Sequence, residues 1–135
     1  MSHFSTLKTR LLSGPYLVKA LKDLGYAHVE VHETPQKLVG FFGFKTRKTA
    51  EIIIRKKHVT GLMGDVGFKK GNTGSYDLLV IQEDQEKLND RWLGQLKQRY
   101  AYHVAMDTLI NQGFFLAQES QEADQSIRLV LRRMT

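Results

Sequence analysis

Apolar residues recur at helical spacing in two stretches of this chain. Leu17, Leu21 and Leu24, with Val18 beside them, mark one face of a first helix. Leu88, Trp92, Leu93, Leu96, Tyr100, Val104, Met106 and Ile110 mark the face of a longer second helix, over about 88–112. Ser13 is placed to cap the first helix, and Pro15 falls in its first turn, where the missing N–H leaves no bond unmade. Both helices run into a glycine and then an aromatic: Gly25-Tyr26 and Gly113-Phe114. A residue just past a helix C-terminus often needs positive φ, which glycine adopts without a Cβ clash. The aromatic that follows can fold back onto the last helical turn. Each copy then reads as strand, turn, strand.

Between and around the helices the pattern changes to β. Phe4 to Leu11 predicts a first strand. His28 to His32 alternates, and Glu33-Thr34-Pro35 breaks it. Leu38 to Phe44 predicts another strand, its Gly40 and Gly43 suggesting a bulge or a close backbone approach. Thr49 to Arg55 holds the β-branched run Ile52-Ile53-Ile54. Val66 to Lys69 and Tyr76 to Ile81 read as the arms of a hairpin, joined by the turn residues of 70–75. Phe114 to Glu119 and Ser126 to Arg133 form a closing pair around a polar, acidic loop. The predicted order is β-α-β-β-β-β-β-α-β-β. Connections this short favour a mostly antiparallel sheet with both helices on one face, an α+β fold in a single domain over residues 1–135.

Composition narrows the class. A chain of 135 residues with 41% hydrophobic and 25% charged residues is an ordinary globular domain. It has no cysteine, which excludes disulfides, thiolate metal sites and a cysteine nucleophile. No window approaches a membrane span, and Met1 to Thr6 lacks the basic and apolar regions of a signal peptide. The protein is therefore expected to stay in the compartment where it is made. The formal charge of +6 is unevenly placed, with +2 in residues 1–44, +5 in 45–81 and −1 in 82–135. The excess in the middle attracts anionic partners.

That excess comes in three pieces: Lys45, Arg47 and Lys48; Arg55, Lys56, Lys57 and His58; Lys69 and Lys70. If the strands carrying them are neighbours, the pieces merge into one anion- or nucleic-acid-binding face. Phe41, Phe42, Phe44 and Phe68 lie close by and offer stacking surfaces, although core packing is their default role. Gly61, Gly64, Gly67, Gly71 and Gly74 do not make a phosphate loop, because no Lys-Ser/Thr follows and no helix opens there.

The long helix carries Arg99, His103 and Asp107 at i, i+4 and i+8, a row lying within its apolar arc with Tyr100 beside it. A histidine beside a carboxylate suits general-base chemistry, so these are the catalytic candidates. No nucleophile, metal cluster or second carboxylate converges with them in sequence, so the reading is a non-enzyme in which Asp107 neutralises His103 and Arg99 reaches the sheet edge. His28 and His32 are four apart, a metal spacing on a helix. On a strand they lie more than about 10 Å apart, and no metal or cofactor is expected.

Several separate motifs occur in one order: Ser2-His3-Phe4-Ser5, Leu24-Gly25-Tyr26, Asp65-Val66-Gly67-Phe68, Arg99-Tyr100-Ala101-Tyr102 and Ser126-Ile127-Arg128-Leu129-Val130. Over nearly the whole chain they resemble the hypothetical chloroplast reading frame thirty-five family, also catalogued as domain of unknown function 1257, of cyanobacteria and algal plastids. The resemblance implies no activity. Relatives encoded near AAA-type ATPases, a small companion protein and ferredoxin-like proteins imply an accessory role. The expected function is a non-catalytic protein-interaction module, an adaptor or assembly factor, for an AAA-type ATPase or a ferredoxin-like protein. RNA or anion binding through the central basic region is the alternative, and an enzyme using the helix row is a third reading. The expected compartment is the cyanobacterial cytoplasm or the plastid stroma, with no membrane insertion.

Overall fold

The computed structural model describes residues 3–134. Contacts group the chain into two compact units, residues 1–100 and 101–135. The first unit is built on a five-stranded antiparallel sheet of order β1-β5-β4-β3-β2. Its strands are β1 (Phe4–Lys8), β2 (Glu30–Val39), β3 (Lys45–Ile54), β4 (Val66–Lys70) and β5 (Tyr76–Ile81). Helix α1 spans Gly14–Asp23, and helix α2 spans Asp90–Asn111, the part up to Tyr100 belonging to the first unit.

The alternation along the central strands decides which face each side chain takes. Ile52 and Ile54, Val66 and Phe68, and Leu78 and Val80 form one buried layer. Leu17, Ala20 and Leu21 of α1 and Trp92 and Leu96 of α2 pack onto it, so both helices cover the same face. Helix α1 starts as its sequence dictates: the Ser13 hydroxyl accepts the Tyr16 N–H at 3.4 Å. It stops at Gly25, with φ of 102°, and the Tyr26 N–H returns to the Leu21 carbonyl at 3.2 Å. The Tyr26 hydroxyl accepts the Trp92 indole N–H at 3.0 Å, and the rings meet edge-on at 6.3 Å. Burial raises the Tyr26 phenol above its usual range. The glycine stop thus delivers an aromatic to the second helix. That helix begins at its own cap, Asn89, whose side-chain oxygen accepts the Trp92 N–H at 3.0 Å.

The opposite face of the sheet is covered differently. Leu38, Ala50, Ile53 and Leu79 are buried there, with Phe4 at the edge. Leu38 reaches this face because the β2–β3 hairpin does not keep a regular ladder. Its register is Val31↔Ile52 and then Gln36↔Ala50, so residues 32–35 bulge out opposite Glu51. Pro35 lies in that bulge, where its missing N–H breaks no ladder bond. A second shift, between Lys37↔Thr49 and Val39↔Lys45, puts Thr46, Arg47 and Lys48 opposite Leu38 alone. Bulges bend and twist a hairpin, and this one lays Leu38 over β4 at Gly67. A Cβ at Gly67 would stand 2.8 Å from Ala50 Cβ and 2.8 Å from Leu38 Cδ1.

The α+β class and the mostly antiparallel sheet match the sequence reading, with one strand fewer between the helices. Pro35 does not end a strand. It sits in a bulge of the continuous β2. The Leu38–Phe44 segment is not a strand either: β2 ends at Val39, and a short 3-10 turn occupies Phe41–Gly43. Strand β1 is shorter than predicted. It ends at Lys8, after which the buried Thr9 hydroxyl donates to the Tyr76 carbonyl at 2.7 Å and Arg10 takes φ of 65°.

The second unit comprises the end of α2 and an antiparallel hairpin of β6 (Phe114–Gln121) and β7 (Ile127–Arg133), with Ala117 as an extra residue in β6. Gly113, with φ of 91°, ends the helix as Gly25 ends the first. The Arg133 guanidinium lies 5.0 Å above the Phe114 ring. At the tip, the Ser126 N–H and hydroxyl donate to Asp124 at 3.0 and 2.6 Å, holding that carboxyl below its usual range.

Gly67→Ala is expected to destabilise the protein by about 1–3 kcal/mol, because the new methyl would sit within 3.0 Å of the fully buried Ala50 and Leu38 and something must shift. A drop in urea midpoint with unchanged slope would support this; an unchanged midpoint would mean the hairpin does not lie over β4 this tightly.

Candidate functional site: a clamped hairpin beside a cationic groove

The bent hairpin is held by a carboxylate. Asp65, just before β4, is only 1% exposed. It accepts the Val39 N–H at 2.7 Å, the Lys56 N–H at 2.9 Å and the Arg55 guanidinium at 2.8 Å. The Asp65 N–H in turn donates to the Val39 carbonyl at 2.8 Å. Arg55 also reaches Glu30 at 2.9 Å and the Lys37 carbonyl at 2.9 Å. One arginine and one aspartate therefore tie β2, the end of β3 and the start of β4 together. The Arg55 hydrogen bond is the main reason that the Glu30 carboxyl is held below its usual range, with His32 adding a second contact at 2.8 Å. The same pairing raises Arg55. A second buried carboxylate, Asp84, accepts the Met63 and Gly64 N–H groups at 2.8 and 3.0 Å. Residues 63–65 are thus fixed from both sides.

Beside this clamp runs a groove of about 930 Å³ whose wall includes Lys37, Gly43, Lys45, Thr49, Arg55, Lys56 and Lys57, with Glu30 and Asp65. Of the predicted basic residues, the structure brings Lys45, Arg55, Lys56 and Lys57 to this one groove. Arg55 is already engaged by two carboxylates, so its charge is directed inward. Arg47 and Lys48 are exposed on the β3 bulge. Lys69 donates to Thr49 at 3.0 Å, whereas Lys70 lines a separate groove with Glu51 and Tyr76. Lys37 joins the lysines, a residue that sequence reasoning passed over because it lies outside the three basic runs.

The turn at the hairpin's end overturns the reading of the aromatics as core. Phe68 is buried, but Phe42 is 88% and Phe44 71% exposed. Phe42 adopts φ 55° and ψ 22°, a left-handed conformation that costs an aromatic residue about 1–2 kcal/mol. Gly43 follows at φ 77°. The turn that holds these two rings in solvent is a strained one, and such strain concentrates at working surfaces.

The helix row is dispersed among other contacts. Arg99 pairs with Asp23 of α1 at 3.0 Å. The neighbouring Tyr100 hydroxyl accepts the Leu12 and Ser13 N–H groups at 3.2 and 2.8 Å, closing the start of α1. His103 meets the Tyr102 ring edge-on at 5.2 Å. His103 and Asp107 fall in the second unit, and the 930 Å³ groove takes none of the three into its wall. His28 stacks on His58 at 4.2 Å, while His32 turns to Glu30, so the two histidines four apart serve different partners. Among the described residues no group of three or more His, Asp or Glu is placed to hold a metal ion. Among them, too, no helix is long and apolar enough to cross a membrane.

An α+β domain with a clamped hairpin and a basic groove is the class the geometry defines. A family model described as "Protein of unknown function (DUF1257)" matches residues 20–130, and the chain belongs to that family. The "Uncharacterized protein ycf35" of Cyanophora paradoxa is 33% identical over 135 residues, covering 98% of each chain. The protein of the same name from Pyropia yezoensis is 28% identical over 141 residues, again covering 98% of each. No solved structure matches.

Asp65→Ala leaves three donors unpaired around a buried site and is expected to cost about 3 kcal/mol or more. Chemical denaturation checks it. Glu30, with its pKa depressed in the folded state, stabilises the fold above its unfolded pKa, and that contribution is lost as pH falls through the folded value. Glu30→Gln should therefore flatten the pH dependence of stability below about pH 5 while leaving its shape near neutrality unchanged. An unaltered acid limb in this variant would contradict the pairing.

Proposed function

We propose that this protein is a non-catalytic protein-interaction module, an adaptor or assembly factor whose contact surface is the turn of the β2–β3 hairpin. The observation that carries the reading is Phe42, a large aromatic held almost wholly in solvent on a strained backbone. Phe44, two residues on, is also exposed, and the hairpin beneath is anchored to buried Asp65, so the rings are presented on a rigid support. An aromatic anchor on a preorganised element is the usual centre of a protein contact. The engagement of Arg99 with Asp23 supports the non-enzyme reading of the helix row. The partner classes that the family resemblance supplies are an AAA-type ATPase and a ferredoxin-like protein, and the proposed compartment is the cyanobacterial cytoplasm or the plastid stroma.

Single-stranded RNA is the second reading, favoured by exposed rings on the hairpin whose groove holds lysines with no ion-pair partner among the described residues. Two features weigh against it. The Phe41 and Phe42 rings lie 6.0 Å apart at 37°, which is not a flat stacking platform. The groove wall also contains Glu30, whose side chain is 35% exposed and faces any polyphosphate with a like charge.

A photo-crosslinking residue at position 42 should trap a protein in cells of the source organism, and one at the exposed position 19 of α1 should not. Phe42→Asn tests the same surface through stability. Asparagine tolerates left-handed φ, so the variant should be unchanged or up to about 1 kcal/mol more stable while partner capture falls. A destabilised variant, or capture that survives, would contradict the reading.

A further inference from the structure

The groove beside the hairpin carries a charge arrangement that packing does not explain. Lys37, Lys45 and Lys57 are exposed, and none has an ion-pair partner among the described residues. Lys56 is half-buried, and among the described residues its ammonium makes only a long 3.5 Å contact, to the Met63 carbonyl. All four stand around one groove. The two acids in the same wall offset only part of this charge: Glu30 and Asp65 share Arg55, which leaves one negative charge against four lysines. Like charges gathered around a concavity repel one another, and their field is focused into it. A fold that needed charge only for solubility would scatter these lysines instead.

We infer that this groove is a binding site for an acidic polypeptide segment, with Lys37, Lys45, Lys56 and Lys57 receiving its carboxylates and Phe42 and Phe44 packing on an apolar side chain next to them. The inference rests on the interaction-module reading and names its partner's chemistry. Gly43 connects the two halves: it lines the groove and lies between the two exposed rings. Charge complementarity selects an anion, and the rings select one that also carries apolar groups. The half-exposed Glu30 carboxylate in the wall, already engaged by Arg55 and His32, suits a polypeptide that can set an uncharged residue opposite it better than a nucleic-acid strand with a phosphate at every residue. Lysine, a flexible point charge, fits a ligand of variable sequence, whereas the arginine in the groove wall, Arg55, is committed to the fold.

The test uses the full chain and three fluorescent probes at equal length and low salt, read by anisotropy. The first is a peptide alternating Asp or Glu with Leu and Phe, the second an oligoglutamate, and the third a single-stranded oligouridylate. The first probe should bind at least about tenfold more tightly than either of the others. Its affinity should fall with salt. A Lys56→Glu, Lys57→Glu double variant should weaken it by a further factor of about ten or more. A matching reversal at Lys19 and Lys22 of α1 should leave it unchanged, which controls for net charge. Equal binding of oligoglutamate would reduce the site to general electrostatics and overturn the inference. So would tighter binding of oligouridylate, or no binding of the first probe. Crosslinking from position 42 separates the two proposals: if it still traps a protein while the acidic peptide fails, the partner chemistry is wrong and the interaction surface stands.

Discussion

The Asp65 carboxylate sits where three separate pieces of chain must meet. It takes the last N–H of β2, the second N–H after β3 and the Arg55 guanidinium. Hydrogen bonds to a charged group contribute about 1.5–3 kcal/mol each when both sides are satisfied. An uncompensated carboxylate in that position would cost as much or more. The arrangement is therefore all or nothing. With it, Leu38 closes over Gly67 and gives the sheet a second buried face. Without it, the bulged hairpin has too few regular ladder bonds to hold its own course.

The clamp also sorts the charges. The two acids of the wall withdraw the Arg55 cation and keep one negative charge between them, and four lysines, three of them exposed and Lys56 half-buried, are left around the groove. The same anchoring makes it tolerable for Phe42 to sit at positive φ with its ring exposed. A turn on a loose hairpin would relax. Fold and surface are consequences of one buried ion pair, not two independent features.

Much of the fold was legible because local signals carry it. Gly25-Tyr26 and Gly113-Phe114 mark both helix ends, and the isoleucine run and the 70–75 turn locate β3, β4 and β5. The apolar segment 38–44 was misread because an unbroken apolar run does not say which residues face inward. Leu38 is fully buried and Phe44 is mostly exposed, a split produced by the turn at Phe42 and Gly43. The site was less legible. Arg55 reads as one base among three, and only its distant partners Glu30 and Asp65 remove it from the surface. Lys37 follows a proline that suggested a strand end, so its place opposite Thr49 and beside Lys45 was hidden by the bulge. Asp65 stands in the Asp-Val-Gly-Phe motif that carries part of the family resemblance, which marks the segment without showing the role of its carboxylate.

Native-state hydrogen exchange of the Val39 and Lys56 amides tests the central claim most directly. Both donate to Asp65, so both should exchange through the same large-scale opening as the amides of the central strand β4, with comparable protection. Fast exchange at Val39 and Lys56, with β4 still fully protected, would show that the hairpin opens by itself and that the carboxylate does not hold it.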